Sequence, residues 1–326
     1  MARVFVTGGS GFLGRNLIGT LLDRGYEVRA LARSDAAAEI VARAGAESVQ
    51  GDLDDDAALR AGMQGCDTVM HAAGLVRDWG HPDDFRRINV LGTERVLDAA
   101  RAAGVTRLVH VSTEAVLLGA GPLRNVDETM PRPVRPLGLY AWSKRRAEEL
   151  ALAANTPTMA TVVVRPRFIW GHGDTSTLPQ FMHAVRSRRF RWIAGGRYLT
   201  STCHVANVCE GMVLGAQQGR GGEIYFLTDG QPVEFRSFVT AMLRTQGLDP
   251  GNRSVPRWLA KAVAPGSEAV WRALNLKGQP PITRSTVRLI GEEVTVDDAK
   301  ARRELGYKGA VSREAGLAAM ATLSPP

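Results

Sequence analysis

Tyr140 and Lys144 stand four residues apart in Tyr140-Ala141-Trp142-Ser143-Lys144, and the helix formers Arg145, Arg146, Ala147, Glu148, Glu149 and Leu150 follow them. On a helix that spacing puts both side chains on one face. An ammonium held near a phenol favours the phenolate and draws its pKa down from about 10, which would make Tyr140 an acid or base for a hydroxyl or carbonyl. A surface i,i+4 pair has the same spacing, so the spacing alone leaves both readings open. Upstream, the apolar run Leu108–Val111 delivers Ser112, Thr113 and Glu114. A hydroxyl at that strand end could hold a substrate oxygen or simply bond local backbone.

The elements that would position these groups begin at the N-terminus. Thr7-Gly8-Gly9-Ser10-Gly11-Phe12-Leu13-Gly14 joins the apolar run Val4–Val6 to the helical period of Leu17, Ile18, Leu21 and Leu22. In such a strand–turn–helix unit Gly8 can take a backbone angle closed to other residues. Gly11 lets a pyrophosphate approach the main chain, and Gly14 lets the helix lie close to the strand. The free N–H groups at the helix start, those of Phe12, Leu13 and Gly14, then face an anion. A glycine triplet alone is a weak signal, and its place between a strand and a helix is what makes it count. Dinucleotide binding is the working reading.

Strand-like runs recur between helical ones at Val4–Val6, Glu27–Leu31, Thr68–His71, Leu108–Val111 and Thr161–Val164. This rhythm predicts an α/β fold, a Rossmann-type doubly wound parallel sheet. Val69-Met70-His71-Ala72-Ala73-Gly74 turns from apolar to small, as suits a strand ending where a cofactor crosses the carboxyl edge. Beyond Gly171 the rhythm breaks into a helix-like Leu178–Arg186, a strand-like Glu223–Leu227 and a helix-like Phe235–Thr245. Pro250-Gly251, Pro265-Gly266 and Gly278-Gln279-Pro280-Pro281 punctuate the tail. The expected division is a dinucleotide-binding domain over 1–170 to which 202–228 return, with 171–201 and 229–326 forming a smaller substrate-binding part rather than more sheet.

The chain has 326 residues, a formal charge of +8 and three cysteines. Cys66, Cys203 and Cys209 show no metal-ligand spacing, so they are expected as reduced thiols with no disulfide or metal site. No apolar run approaches the ~20 residues of a membrane span, and Met1-Ala2-Arg3 runs straight into the first strand. The expectation is a cytoplasmic protein. Arg186-Ser187-Arg188-Arg189-Phe190-Arg191-Trp192 could attract phosphates, nucleic acid or a membrane, but no nucleic-acid module accompanies it, so it is expected to be a solvated helix face.

Together Thr7–Gly14, His71–Gly74, Val111–Thr113 and Tyr140–Lys144 resemble an extended short-chain dehydrogenase/reductase, over nearly the whole chain. Val164–Gly171, His204–Val208 and Glu304-Leu305-Gly306-Tyr307 are similar to the branch holding 3β-hydroxysteroid dehydrogenases, decarboxylating sterol dehydrogenases and bacterial β-ketoacid reductases. The resemblance implies that Tyr140 is the general acid/base and that Lys144 lowers its pKa and binds the nicotinamide ribose. It implies that Thr113 hydrogen-bonds the substrate oxygen, since the family's hydroxyl stands three positions before a valine, here Val116.

Dehydratases of this superfamily carry two acids in succession after that hydroxyl, and here Ala115 follows Glu114, which argues against dehydration. Sugar-nucleotide epimerases place an arginine shortly before the equivalent of His204, whereas Leu199-Thr200-Ser201-Thr202-Cys203 holds none. With that anchor gone and Phe168, Trp170, Phe181, Met182, Trp192 and Ile193 available, a small hydrophobic substrate, sterol-like or β-keto lipid-like, fits better.

Arg33 follows the second strand and could pair with a 2′-phosphate, so NADP is favoured, with Asp35 leaving NAD open. Asp52-Leu53 is similar to the family's adenine-edge contact. The expected cofactor contacts are Gly8, Gly11, Phe12, Leu13, Gly14, Arg33, Asp52, Leu53, Ala72, Ala73, Gly74, Tyr140, Lys144 and Pro166. A sugar-nucleotide epimerase or reductase and a non-catalytic NADP-binding protein are the alternatives. No nucleic-acid partner is expected. A homodimer is left open, as is a peripheral membrane contact through Pro256–Val263, where Trp258 and Leu259 alternate with Arg257 and Lys261.

Overall fold

A computed structural model describes residues 2–119 and 121–323. Seven strands form a single parallel sheet: β1 Arg3–Thr7, β2 Glu27–Ala32, β3 Glu47–Gln50, β4 Thr68–His71, β5 Arg107–Val111, β6 Ala160–Pro166 and β7 Ile224–Leu227, in the order β7-β6-β5-β4-β1-β2-β3. All are parallel to their neighbours. This is the doubly wound Rossmann arrangement, with the order reversing between β1 and β4, where a crevice opens at the carboxyl edge.

The helices include α1 Phe12–Asp23, α2 Asp35–Arg43, α3 Asp56–Met63, α4 Gly92–Ala102, α5 Gly138–Ala153, α6 Thr177–Arg186, α7 Val205–Gln218, α8 Phe235–Arg244, α9 Arg257–Ala273 and α10 Arg284–Ile290. Buried Leu17, Ile18 and Leu21 of α1 and Val208 and Met212 of α7 fill one side of the sheet, with Val4, Val6 and Val109. Leu59 and Met63 of α3 and Val96 and Leu97 of α4 fill the other, with Phe5, Val69 and Leu108. Consecutive strand residues thus serve opposite layers, so the central strands are largely apolar on both faces.

Thr68–His71 is observed with the expected ends, Val4–Val6, Glu27–Leu31, Leu108–Val111 and Thr161–Val164 each extend by one to three residues, and Glu223–Leu227 loses its first residue. β3 was not anticipated. Its sequence, Glu-Ser-Val-Gln, is mostly exposed at the sheet edge and carries no apolar signal.

The tail corrects several expectations. It contains sheet: Val294–Val296 pairs with Leu123–Val126 and Leu199–Thr200, and Val233–Glu234 completes four strands. Ala301, Leu305 and Tyr307 pack into the core on the α1 side of the main sheet rather than in a separate substrate part. Glycine and proline mark where the chain turns, not which layer the next helix joins. Helix α9 also runs straight through Pro265.

The arginine-rich stretch is not a helix face. Helix α6 ends at Arg186, and Arg188 takes a positive φ of 58°, so Arg188, Arg189 and Arg191 lie exposed on a turn. Trp170, Phe181, Trp192 and Ile193 are buried side chains, the first three in one cluster with Phe235 and Phe238, and so are committed to packing. Among the described residues no helix is long and apolar enough to cross a membrane.

Candidate active site

The turn after β1 closes tightly on itself. Gly8 has a φ of 76°, and a Cβ there would lie 2.8 Å from the Ala73 nitrogen. A Cβ at Gly14 would lie 2.0 Å from the Gly8 carbonyl oxygen, so the approach of α1 to the turn admits hydrogen alone. Gly11 is the N-cap of α1 and no side chain caps it, which leaves the first-turn N–H groups of Phe12, Leu13 and Gly14 directed outward. A cradle of glycine backbone at a positively polarised helix start fits the pyrophosphate of a dinucleotide.

The exit of β4 is tied to this turn. The Ala72 amide donates to the Thr7 carbonyl at 3.3 Å and the Ala73 amide to the Thr7 hydroxyl at 3.2 Å. A Cβ at Gly74 would stand 3.9 Å from the Lys144 ammonium, so the loop and the Tyr140–Lys144 helix face each other. Asn89, which sequence reasoning missed, joins them. It accepts from the Leu75 amide at 2.6 Å and donates to the Ser143 hydroxyl at 2.9 Å. It lies in a π-type turn at Arg86–Leu91, an irregularity common at functional sites. A lone Asn between apolar residues offers no readable period.

On α5, Lys144 is buried and donates to the Val111 carbonyl at 2.6 Å. Burial lowers its pKa to about 8, with Glu148 pulling the other way. Tyr140 lies beside Thr113, and both expectations about these groups meet a correction. Withdrawal from water, followed by the charges of Glu114 and Asp78, pushes the phenol well up rather than down. The Lys144 ammonium is engaged with main chain instead of the phenol. The Thr113 hydroxyl donates to Glu114 Oε2 at 2.8 Å and accepts from the Ala115 amide at 3.2 Å, so its proton is not free for a substrate oxygen.

Ser112, the other hydroxyl at this strand end, donates to Glu148 Oε2 at 2.6 Å. Glu148 is fully buried and held by Arg165 and Arg132, each at 2.6 Å. Burial raises its pKa, but these arginines and Ser112 outweigh it and the net direction is down. Ser112 is therefore committed to a structural network. Below Lys144, His71 and His110 face each other across β4 and β5. Thr93 gives its proton to the Asn89 carbonyl, so His71 Nε2 donates to Thr93 and Nδ1 accepts from Thr7. Burial, then Lys144, lowers the His71 pKa to about 3.

At the far end of the crevice Arg33 is exposed directly after β2 and, among the described residues, pairs with no carboxylate, while Ser34 caps α2 and Asp35 opens it. Asp52 Oδ1 accepts from the Leu53 amide at 2.8 Å. Pro166 ends β6, opposite Leu227. The structure thus gathers Gly8 to Gly14, Ala72 to Gly74, Thr113, Tyr140 and Lys144 along the carboxyl edge between β1 and β5, with Arg33, Asp52 and Leu53 toward the β2 and β3 side. No arginine is present in Leu199–Cys203, and Arg313, which donates to Thr202 at 2.9 Å, lies 4.0 Å from Asp229.

Residues 5–257 match the model of the 3-beta hydroxysteroid dehydrogenase/isomerase family. The chain is 54% identical over 99% of its length to a 4-hydroxy-2-methyl-3-oxo-4-farnesyl-3,4-dihydroquinoline-1-oxide ketoreductase of Stigmatella aurantiaca, covering 97% of that protein. It is 33% identical to a 2-alkyl-3-oxoalkanoate reductase of Stenotrophomonas maltophilia, covering 97% of each chain. Among solved structures it is similar to a dTDP-glucose 4,6-dehydratase of Streptomyces venezuelae with NAD bound, at a TM-score of 0.77 and 26% identity over 98% of this chain and 96% of that one. The chain belongs to the 3-beta hydroxysteroid dehydrogenase/isomerase family within the extended short-chain dehydrogenases/reductases, nicotinamide-dependent oxidoreductases acting at a hydroxyl or keto group.

Proposed function

We propose that this enzyme is an NADPH-preferring ketoreductase of a hydrophobic substrate, with Tyr140, Thr113 and Lys144 as its working groups. The observation that carries this reading is the Tyr140–Thr113 contact beside the glycine cradle, with a protonated phenol at the carboxyl edge. The bound reduced nicotinamide supplies a hydride. As the substrate oxygen gains negative charge, the Tyr140 O–H bond breaks and the alcohol O–H bond forms. In this reading Thr113 lines up the Tyr140 hydroxyl, and Lys144, anchored on the Val111 carbonyl, would hold the ribose. The unpaired, exposed Arg33 supports recognition of a 2′-phosphate. Resemblance to a farnesyl-quinoline ketoreductase and an alkyl-oxoalkanoate reductase supports a lipid-like ketone.

The deciding experiment titrates the purified protein with NADPH and NADH by fluorescence, then offers a 3-ketosteroid, β-keto acyl and prenylated quinolone panel. Tighter NADPH binding with turnover on one class is expected. Binding of neither nucleotide overturns the reading.

Three buried free cysteines support a reducing, cytoplasmic setting. We propose also that α9 rests on an anionic bilayer. Trp258, Leu259, Val263 and Val270 are exposed along it, with Leu274 and Leu276 just beyond. Pairing of Ser254-Val255 with Trp192-Ile193 brings the exposed arginines before Trp192 beside the start of α9, and apolar groups flanked by cations suit such a surface. Flotation with phosphatidylserine vesicles should be lost in Trp258→Ser/Leu259→Ser. No flotation of the unaltered protein, with a dimer that the variant dissolves, would instead make a second copy the occupant.

A further inference from the structure

The start of α9 and the end of α10 meet at a cavity of about 300 Å³, and among the described residues none of the glycine turn, Thr113, Tyr140 or Lys144 lines it. Arg124 reaches it from the strand Leu123–Val126, Arg257 and Lys261 from α9, Arg288 from α10, and Glu292 and Glu293 from the residues that follow α10. Four cations thus face two carboxylates, a net charge of +2.

The pairing inside this ring is uneven. Glu292 is buried and takes two of the cations, with Lys261 Nζ 2.5 Å from Oε1 and Arg288 Nη1 donating to Oε2 at 2.7 Å. Arg288 also donates to the Gly121 carbonyl through Nη2, so its fork is committed. Arg124 reaches Glu293 through Nε alone, at 3.5 Å. Among the described residues Arg257 pairs with no carboxylate. Its Nε donates to the Gly291 carbonyl at 2.8 Å and its guanidinium lies over the Tyr198 ring at 5.6 Å. Tyr198 is itself held by donating to the Ile290 carbonyl, so the Arg257 plane has a fixed support. The terminal nitrogens of Arg257 and Arg124 have no hydrogen-bond partner among the described residues. Two guanidinium forks therefore line one cavity with donors to spare, in the planar geometry that matches the oxygens of a phosphate.

We propose that this cavity binds a phosphate monoester group, gripped by Arg257 and Arg124 beside Lys261. Such a group carries a charge of about −1.5 to −2 at neutral pH, which balances the excess of the lining. A cavity of about 300 Å³ is at the small end for ligand sites, enough for the phosphate and the first atoms of its ester. Trp258 and Leu259, exposed on α9 between Arg257 and Lys261, offer apolar surface for what extends beyond. A soluble phosphate ester and an anionic lipid headgroup present the same chemistry here. The site stands apart from the ketoreductase reading, and only its lipid source rests on the bilayer reading of α9.

The test is calorimetric titration in phosphate-free buffer with inorganic phosphate and with glycerol 3-phosphate, the protein being saturated with NADP⁺ so that the glycine cradle is filled. One saturable site per chain is expected. Arg257→Gln should weaken it about tenfold or more. Arg124→Gln should do the same with no burden on folding, since that side chain is exposed. Glu293→Gln should tighten it, because an opposing charge is gone and the Arg124 Nε is freed. Flotation with phosphatidylcholine vesicles carrying phosphatidic acid separates the sources. Flotation that Arg257→Gln/Arg124→Gln abolishes, with Trp258 and Leu259 intact, makes a lipid headgroup the occupant. Soluble binding without arginine-dependent flotation makes a free phosphate ester the occupant, and absence of all flotation then counts against the bilayer reading alone. No saturable binding in either format, or affinities unchanged in both arginine variants, overturns the proposal.

Discussion

The Lys144 ammonium donates to the Val111 carbonyl at 2.6 Å, joining the helix that carries Tyr140 to the strand that ends at Thr113. That contact ties together the two elements that carry the hydroxyls proposed to act on the substrate, and it holds a cation in a buried site.

Burial lowers the Lys144 pKa from 10.5 to about 8. Between those values the unfolded chain keeps a proton the native state has lost, so stability rises with pH across that window. Below it, the full cost of roughly 3 kcal/mol remains. Lys144→Met should therefore be more stable than the unaltered protein at neutral pH, by up to about 3 kcal/mol, and should lose the rise between about 8 and 10.5. Urea unfolding at several pH values measures this, and a destabilised Met variant at neutral pH would show that the Val111 contact outweighs the buried charge.

Tyr140→Phe keeps the ring and removes the proton. Turnover should fall by about 10²- to 10⁴-fold while NADPH binding, read by fluorescence, stays within a factor of about two. Retained turnover would remove Tyr140 from the chemistry.

Gly14→Ala and Gly11→Ala should part company. The first puts a Cβ 2.0 Å from the Gly8 carbonyl oxygen and the second one at 3.2 Å. Gly14→Ala should cost about 1–3 kcal/mol of stability and abolish nucleotide binding. Gly11→Ala should fold normally and bind about tenfold more weakly or worse, because the methyl stands where a pyrophosphate approaches. Equal stabilities in thermal unfolding would contradict the packing seen at Gly14.

His110 is fully buried with neither ring nitrogen hydrogen-bonded, and burial, then Lys144 and His71, holds its pKa well below the ordinary histidine value. Replacing a partnerless polar ring by a similar apolar volume should help, so His110→Leu is expected to gain about 1–3 kcal/mol. A loss of stability in calorimetry would mean the ring is satisfied by bound water.

Arg33→Ala should weaken NADPH by about tenfold and leave NADH nearly unchanged, with the difference shrinking at high salt as a surface charge contact does. Equal weakening of both would place Arg33 on the adenine face rather than at a 2′-phosphate.

Local chemistry made much of this protein legible. The glycine turn is set by the positive φ of Gly8 and the close approaches at Gly8 and Gly14, and the apolar runs of a sheet covered on both faces stand out without alternation, so six of its seven strands and the cofactor cradle could be read from the chain. The Tyr140–Lys144 spacing placed both groups on one helix face for the same reason. What the sequence could not determine is which charged and polar groups meet in space. Glu114 with Arg167, Glu148 with Arg165, and Asp78 with Thr286 are paired across 53, 17 and 208 residues. Burial first, then the charges of Glu114 and Asp78, reverse the expected direction of the Tyr140 pKa, while Glu148 and Glu114 engage the Ser112 and Thr113 hydroxyls. Burial and long-range pairing set a pKa, and both exist only once the β5 and β6 edges, the β4 loop and α10 have converged.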